Sequence, residues 1–516
     1  MEKKNVFVRE STGLVKSVSF LDALSLNLGS MEVGLALASI GYTMVLLPSI
    51  TGVNMIVASF IAAALVIPQV IVYHMFLKRV TRTGGDYVWA TRSIGSAGGV
   101  LAFGGVIMIQ LAYSALTVLA IIFAIGSVGV ALGLNSFLPL ALPGNISGSA
   151  PALQLLLGAA IFAILIIVNI LRPKAGFRLV SVSIVLGLLL LAFASVVLLV
   201  AGHSGVVSFI NGLGATGANN APITYNSLVS SYTGPTFDLV NTLIFSLFYI
   251  FYSYPWFATG APTAASEFKG SNPARFSIPL SFILTFLFTT IPIAIMYYVG
   301  GFGFTTAAFS NPTLVYNYSL NFWTLAMGAS GNMVISAIIG VGWILWDLAL
   351  LGYLIISFSR YVLAASFDRL LPARLSGVSR FGSPWAAQVF DLVITLAVAG
   401  LAAFFYGPFS SLYGIGDNNW VWFITIGIAA TIYGVRKLNG RGKSIMASAG
   451  ILMTIVYLFV LYVFLEYPTT WGGNDLGYGY DIAVFLCGAA IYLGMKYYYR
   501  AKGVDIGLAF KEIPPE

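Results

Sequence analysis

Apolar runs of about 20 residues recur along the whole chain, and a run of that length crosses the roughly 30 Å hydrocarbon core of a bilayer as a helix. Hydropathy windows of about 19 residues place twelve of them, at roughly 17–47, 52–76, 97–130, 152–171, 179–202, 237–266, 277–300, 332–368, 385–406, 419–435, 444–466 and 479–499. Inside hydrocarbon every peptide group has to be satisfied within the protein, so the expectation is an all-α integral membrane protein with 12 transmembrane helices. Of 516 residues, 59% are hydrophobic and 8% charged, which is more apolar surface than a soluble domain could hide. The first run follows a basic head and has no small-residue cleavage site, so it reads as a span and not as a signal peptide.

The basic residues fix an orientation. With the N-terminus inside, all 25 Lys and Arg fall in the head, the inner loops, the tail or the inner ends of spans. The long outward segments 131–151, 203–236, 301–331 and 467–478 contain neither residue. That asymmetry predicts a multi-pass protein of the cell membrane with cytoplasmic N- and C-termini. The net charge of +8 is thereby assigned to anionic lipid at the inner leaflet, and nothing calls for nucleic acid. Cys487 is the only cysteine, and His74 and His203 lie far apart, so no metal site and no cofactor are expected.

Two spans look interrupted, and they are five apart. The first contains LGSMEVG, residues 28–34, where Gly29, Ser30, Glu32 and Gly34 break an apolar run. The sixth contains YSYPWFATGAP, residues 252–262, where Pro255, Gly260 and Pro262 make an undisturbed helix improbable. Matched interruptions in two halves point to an inverted-repeat transporter whose site lies at the midplane, because unwound backbone and half-helix ends can hold a charged ligand away from water. Packing glycines and a proline kink give the same pattern without a site.

Three further stretches resemble a known family. TRTGGDYVWATRSIGSAGGVLAFGGV (81–106) resembles the loop and third-span entry of the amino acid–polyamine–organocation superfamily, which includes amino acid permeases. ASEFKGSNPARFSIP (265–279) is similar to the family's segment leaving span six, and SRYVLAASFDRLLPARL (359–375) to its segment leaving span eight. The resemblance implies a LeuT-type 5+5 inverted repeat with discontinuous helices 1 and 6. In this chain that gives a cytoplasmic head (1–16), a first repeat (17–202), an extracellular loop (203–236), a second repeat (237–435), peripheral spans 11 and 12 (436–499) and a cytoplasmic tail (500–516). It also implies transport of an amino acid or related amine by alternating access, and no enzymatic activity.

Carried over by position, the resemblance puts a substrate carboxylate at Gly29, Ser30 and Met31, with Glu32 and Gly34 in the same break. The substrate ammonium then faces Ser253, Tyr254, Trp256, Phe257 and Thr259. Tyr252, Tyr254, Trp256 and Phe257 are candidates for an aromatic gate, and Gln110 and Tyr113 either reach the site or bond between helices. Some proton-coupled relatives have a lysine in span five, where Gly187 stands here. Glu32 and Asp347 are therefore the candidate coupling groups, because a carboxyl at membrane depth must pair, bind a cation or hold a proton. Proton symport is expected in preference to sodium coupling, with uncoupled amino acid or polyamine exchange or facilitation as the alternative. A receptor or structural membrane protein is the reading from another class and would not need two broken helices; a channel is a third, set apart by conductance far above carrier turnover.

Overall fold

The computed structural model describes residues 13–142, 147–217, 220–405 and 416–511, so most of the expected head and the end of the tail lie outside the described residues. Helices account for the architecture; among the described residues there are no strands, only three isolated β-bridges. Helices α1 (Phe20–Met31) and α2 (Val33–Leu46) fill the first expected span, followed by α3 (Met55–Arg79) and the short α4 (Gly85–Ile94). Then come α5 (Ser96–Ala131), α6 (Pro151–Leu171) and α7 (Pro173–Gly212), which bends at Gly202. The second half holds α8 (Leu239–Tyr252), α9 (Asn272–Gly300), α10 (Phe322–Ala329), α11 (Met333–Phe367) and α12 (Trp385–Phe404). The chain ends with α13 (Gly416–Lys437), α14 (Gly440–Glu466) and α15 (Asp475–Ala501).

Ten segments among the described residues are long and apolar enough to cross a membrane, not the twelve expected. The sixth expected span falls short because it is not one helix: α8 ends at Tyr252, a 3-10 turn covers Tyr254–Ala258, and a four-residue helix covers Gly260–Thr263. The tenth is α13, which carries Asp417, Asn418 and Asn419 at one end and Arg436 and Lys437 at the other. The outer helices present apolar side chains outward, among them Leu156, Leu189, Val200, Val393 and Ile482, as lipid contact demands.

The broken first span lies at the centre. Helix α1 packs on α7, α9 and α11, and α2 packs on α8, α9 and α11, so this segment is almost wholly enclosed by protein. Its start is well defined by a capping box: Asp22 N–H donates to Ser19 Oγ at 3.2 Å, and Ser19 N–H donates to Asp22 Oδ2 at 2.9 Å. Its break is confined to Glu32, at φ 38° and ψ 67°. A left-handed non-glycine residue costs about 1–2 kcal/mol, so the surrounding packing holds Glu32 in place.

Two glycines allow close approach. A Cβ on Gly34 would run into Trp346, and one on Gly260 would run into the Leu26 carbonyl, so the two interrupted segments cross backbone against backbone. Gly260→Ala is expected to lower stability by about 1–3 kcal/mol, because backbone cannot swing aside as a side-chain tip can. Gly212→Ala, with open space around the added methyl, is expected to change stability by less than about 1 kcal/mol. Thermal unfolding of the detergent-solubilised protein measures both.

Candidate functional site

The two interruptions meet. Ser30 Oγ lies 2.7 Å from Thr259 Oγ1, and Ala261 N–H donates to Asn27 Oδ1 at 2.7 Å. Thr259 in turn donates to the Trp256 carbonyl at 3.1 Å and reaches the Tyr353 hydroxyl at 3.5 Å, and that hydroxyl accepts from Gln110 Nε2 at 3.4 Å. Ser30, Thr259 and Gln110 therefore belong to one buried polar chain that links spans one, three, six and eight of the expected set.

Gly29, Ser30 and Met31 remain in the last turn of α1, so the opening of the backbone is narrower than the glycines suggest. The N–H groups freed by the break are those of the first turn of α2, where no side chain caps them. The Glu32 side chain does not act as that cap. Gly34 gives its carbonyl to Trp323 Nε1 at 3.0 Å, and the Met31 sulfur accepts from Thr285 Oγ1. In the second break, Tyr254 turns away to Ser59 at 2.7 Å, while Phe257 packs on Phe282. Trp256 packs edge-on against Tyr113 with centroids 5.9 Å apart, and its indole donates to the Phe251 carbonyl at 2.8 Å. The Ser253 hydroxyl is buried without a partner.

Glu32 and Asp347, far apart in sequence, are brought together. Both carboxyl groups are buried, at 3% and 1% exposure, and they are close enough to interact. One buried oxygen of each, Glu32 Oε1 and Asp347 Oδ1, receives no donor from the protein. A hydrogen bond between two carboxyl groups requires a proton on one of them, because two adjacent carboxylates repel. Gly187, at the position of the family's lysine, faces the Trp346 indole: a Cβ there would lie 3.1 Å from Nε1, so an aromatic ring occupies that space.

Asp347 also lines a cavity of about 310 Å³ between α2, α5, α8 and α11, at the end of the bundle remote from the N-terminus. Tyr252 is in its wall, while a second space of about 20 Å³, beside Gln110, Trp256 and Thr259, is large enough only for water. The N-terminal end is closed by charge. Arg360, on α11, grips Glu267 through two hydrogen bonds of 2.8 and 3.1 Å, and the Glu267 carbonyl accepts from the backbone of Ser17 and Val18. Arg92 grips Asp368 in the same way at 2.6 and 2.8 Å. Asp86, from the GGDY stretch, accepts from Tyr361 at 2.7 Å, Trp422 at 3.0 Å and Tyr73 at 3.1 Å. Burial pushes the Asp86 carboxyl above its ordinary range against the pull of these donors.

Sequence reasoning missed Asn27, Trp346 and Tyr353. A signal was present: Trp346, Tyr353 and Arg360 are spaced by seven, so they share one face of α11, and Trp346 and Tyr353 both press on the broken span.

A family model described as Amino acid permease matches residues 18–485. No curated protein matches the chain.

Breaking one half of a buried pair strands the other charge. Arg360→Met is therefore expected to cost about 3–5 kcal/mol, and adding Glu267→Gln to recover most of it. Unfolding temperatures of the two variants, measured side by side, test this.

Proposed function

Because the chain belongs to the amino acid permease family, a family of multi-pass membrane transporters, we propose that it is a secondary carrier moving an amino acid or related amine by alternating access. The reading includes twelve spans in a LeuT-type 5+5 inverted repeat, with the sixth span supplied by the broken segment from α8 to Thr263 and the tenth by α13. The N-terminal end is the cytoplasmic one.

One observation carries it: two interrupted helices meet side by side, with a cavity reaching Asp347 on one side and paired charges closing the other. About 13 residues of α11 separate Asp347 from Arg360, some 20 Å of helix, so the open and closed ends are distinct layers of the same bundle. Substrate sits at the breaks, against the first turn of α2 and the turn at Ser253–Thr259. Half-helix ends suit a ligand with both charges: the N-terminus of α2 favours an anion, and carbonyls at the end of α8 favour a cation. Glu32 and Asp347 couple the cycle to protons, and no Lys or Arg stands in span five to do so.

Uptake into proteoliposomes tests the reading. A panel of radiolabelled amino acids and amines, with pH and sodium gradients imposed separately, is expected to yield at least one compound accumulated under a pH gradient. If no compound enters under any gradient, the carrier reading fails. Asp347→Asn is expected to reduce gradient-driven accumulation at least about tenfold while leaving exchange of labelled for unlabelled substrate measurable. In Glu32→Gln, uptake is expected to lose most of its pH dependence; a wild-type pH profile would return Glu32 to a purely structural role.

A further inference from the structure

The chain does not leave the bundle where α15 ends. After Ala501 it turns back through a Schellman motif: the Gly503 N–H donates to the Arg500 carbonyl at 3.0 Å, and the Val504 N–H to the Tyr499 carbonyl at 3.0 Å. Gly503 stands at φ 75° with open space where a Cβ would be, so the turn needs glycine for its conformation and not for close packing. Asp505 then accepts from the Gly507 N–H at 2.9 Å and starts a 3-10 turn over Ile506–Phe510. Lys502, Asp505 and Lys511 are exposed, but Ile506, Ala509 and Phe510 are buried, so the segment is seated on protein by its apolar side chains.

Its seat lies at the closed end. The Phe510 ring takes up the space that Gly99 leaves at the start of α5, where a Cβ would lie 3.3 Å from it. The Tyr492 ring of α15 has its centroid 6.3 Å away, and the Arg92 guanidinium stands 5.9 Å from the centre of the Phe510 ring. Arg92 is what α4 contributes to the pair with Asp368, and the two side chains are only 6% and 2% exposed. Tyr87, also on α4, donates to the same Asp368 carboxylate at 2.8 Å. The start of α4 touches the broken sixth span: the Gly84 N–H donates to the Thr263 carbonyl at 3.0 Å, and a Cβ on Gly85 would run into Pro262. Helix α4 is ten residues long, about 15 Å, so it links the covered ion pair at one end to the second break at the other.

We propose that residues 505–511 are a strap that locks the closed end of the bundle and swings about Gly503. Seated, Phe510 stands over Arg92 and helps to keep water from the Arg92–Asp368 pair, and an ion pair in a low-dielectric surrounding holds more strongly than one in water. Helix α4 is then fixed to the end of α11 and, through Gly84 and Gly85, to the inner part of the sixth span. Lifted, the strap opens the pair to water, where such a bond is worth little, and α4 is free to move with the segment around Thr263. One buried ring and one cation–π contact make a seat that can be left and regained. The strap thus acts on the opening of the closed end and not on binding at the breaks. It rests on the carrier reading for its effect on transport, because that reading makes the opening a step of a cycle.

Thiol labelling of the detergent-purified full chain with a charged maleimide tests this without any substrate. Cys487, the only cysteine, is replaced by Ser, and one reporter is introduced at a time: Ser266→Cys, buried at the closed end against Thr83, or Ser39→Cys, in the cavity wall at the other end. Phe510→Ala is expected to speed labelling of the closed-end reporter at least about fivefold and labelling of the cavity reporter not at all. A stop after Val504, which removes the strap and keeps its hinge, is expected to do at least as much. An unchanged rate at the closed-end reporter overturns the inference. So does an equal rise at both reporters, which is what general loosening of the bundle gives. Unfolding temperatures show whether each variant folds. Should Phe510→Ala not fold, Phe510→Leu, which keeps apolar bulk and loses the ring over Arg92, is expected to give a rise of at least about twofold at the closed-end reporter alone, and no rise overturns the inference. The uptake panel decides the carrier reading separately: uptake with unchanged labelling removes the strap alone, and changed labelling without uptake of any compound removes the carrier reading alone.

Discussion

In hydrocarbon a peptide group that leaves its helix must find another partner, and this chain interrupts two helices at the same depth and against each other. Side chains supply much of what the helices give up. Asn27 accepts from the Ala261 N–H, Ser281 donates to the Phe257 carbonyl at 2.8 Å, Gln69 donates to the Pro255 carbonyl at 2.9 Å, and Trp323 donates to the Gly34 carbonyl. Each bond crosses from one helix to another, so satisfying the breaks also fixes α1, α3, α9 and α10 around them. A backbone that needs its neighbours for hydrogen bonds stays ordered only while they are in place. Movement of those helices therefore changes which backbone groups are free.

The existence of both breaks was legible in the sequence, because proline and glycine in an apolar run have a direct mechanical reading. Their detail was not. Pro255, Gly260 and Pro262 do end α8 and leave short turns, as their chemistry demands. Gly29 and Gly34, by contrast, sit inside helices, and the left-handed residue is Glu32. Glycine in a membrane helix serves two purposes, freedom of φ and close approach, and local sequence does not separate them; the Trp346 ring over Gly34 makes the second the operative one here. The match of the permease family model over residues 18–485 agrees with the family seen in the 81–106 and 265–279 stretches.

The pairing of Glu32 with Asp347 lay beyond periodicity altogether. Each residue is visible alone as an acid in an apolar run, but their contact depends on how α2 docks on α11, and that docking is set by Gly34 and Trp346 between them. The same limit explains Tyr254 and Phe257. Any residue of a broken segment can face the site, a neighbouring helix or lipid, and only packing assigns Tyr254 to Ser59 and Phe257 to Phe282.

The buried acids divide by what surrounds them. Glu267 and Asp368 are each held by an arginine in two hydrogen bonds, and Asp86 by the hydroxyls and indole of Tyr361, Tyr73 and Trp422, so their charge is met by fixed donors from the protein. Such groups lock elements together, and releasing them costs the full desolvation of a charge. Glu32 and Asp347 have no fixed donor of that kind and face each other instead, one of them at the wall of an open cavity. In a low-dielectric interior, a carboxyl group without a protein counter-charge either holds a proton or takes a cation from outside. The arginine-paired acids thus stand at one end of the bundle, and Asp347 stands at the wall of the cavity that opens toward the other.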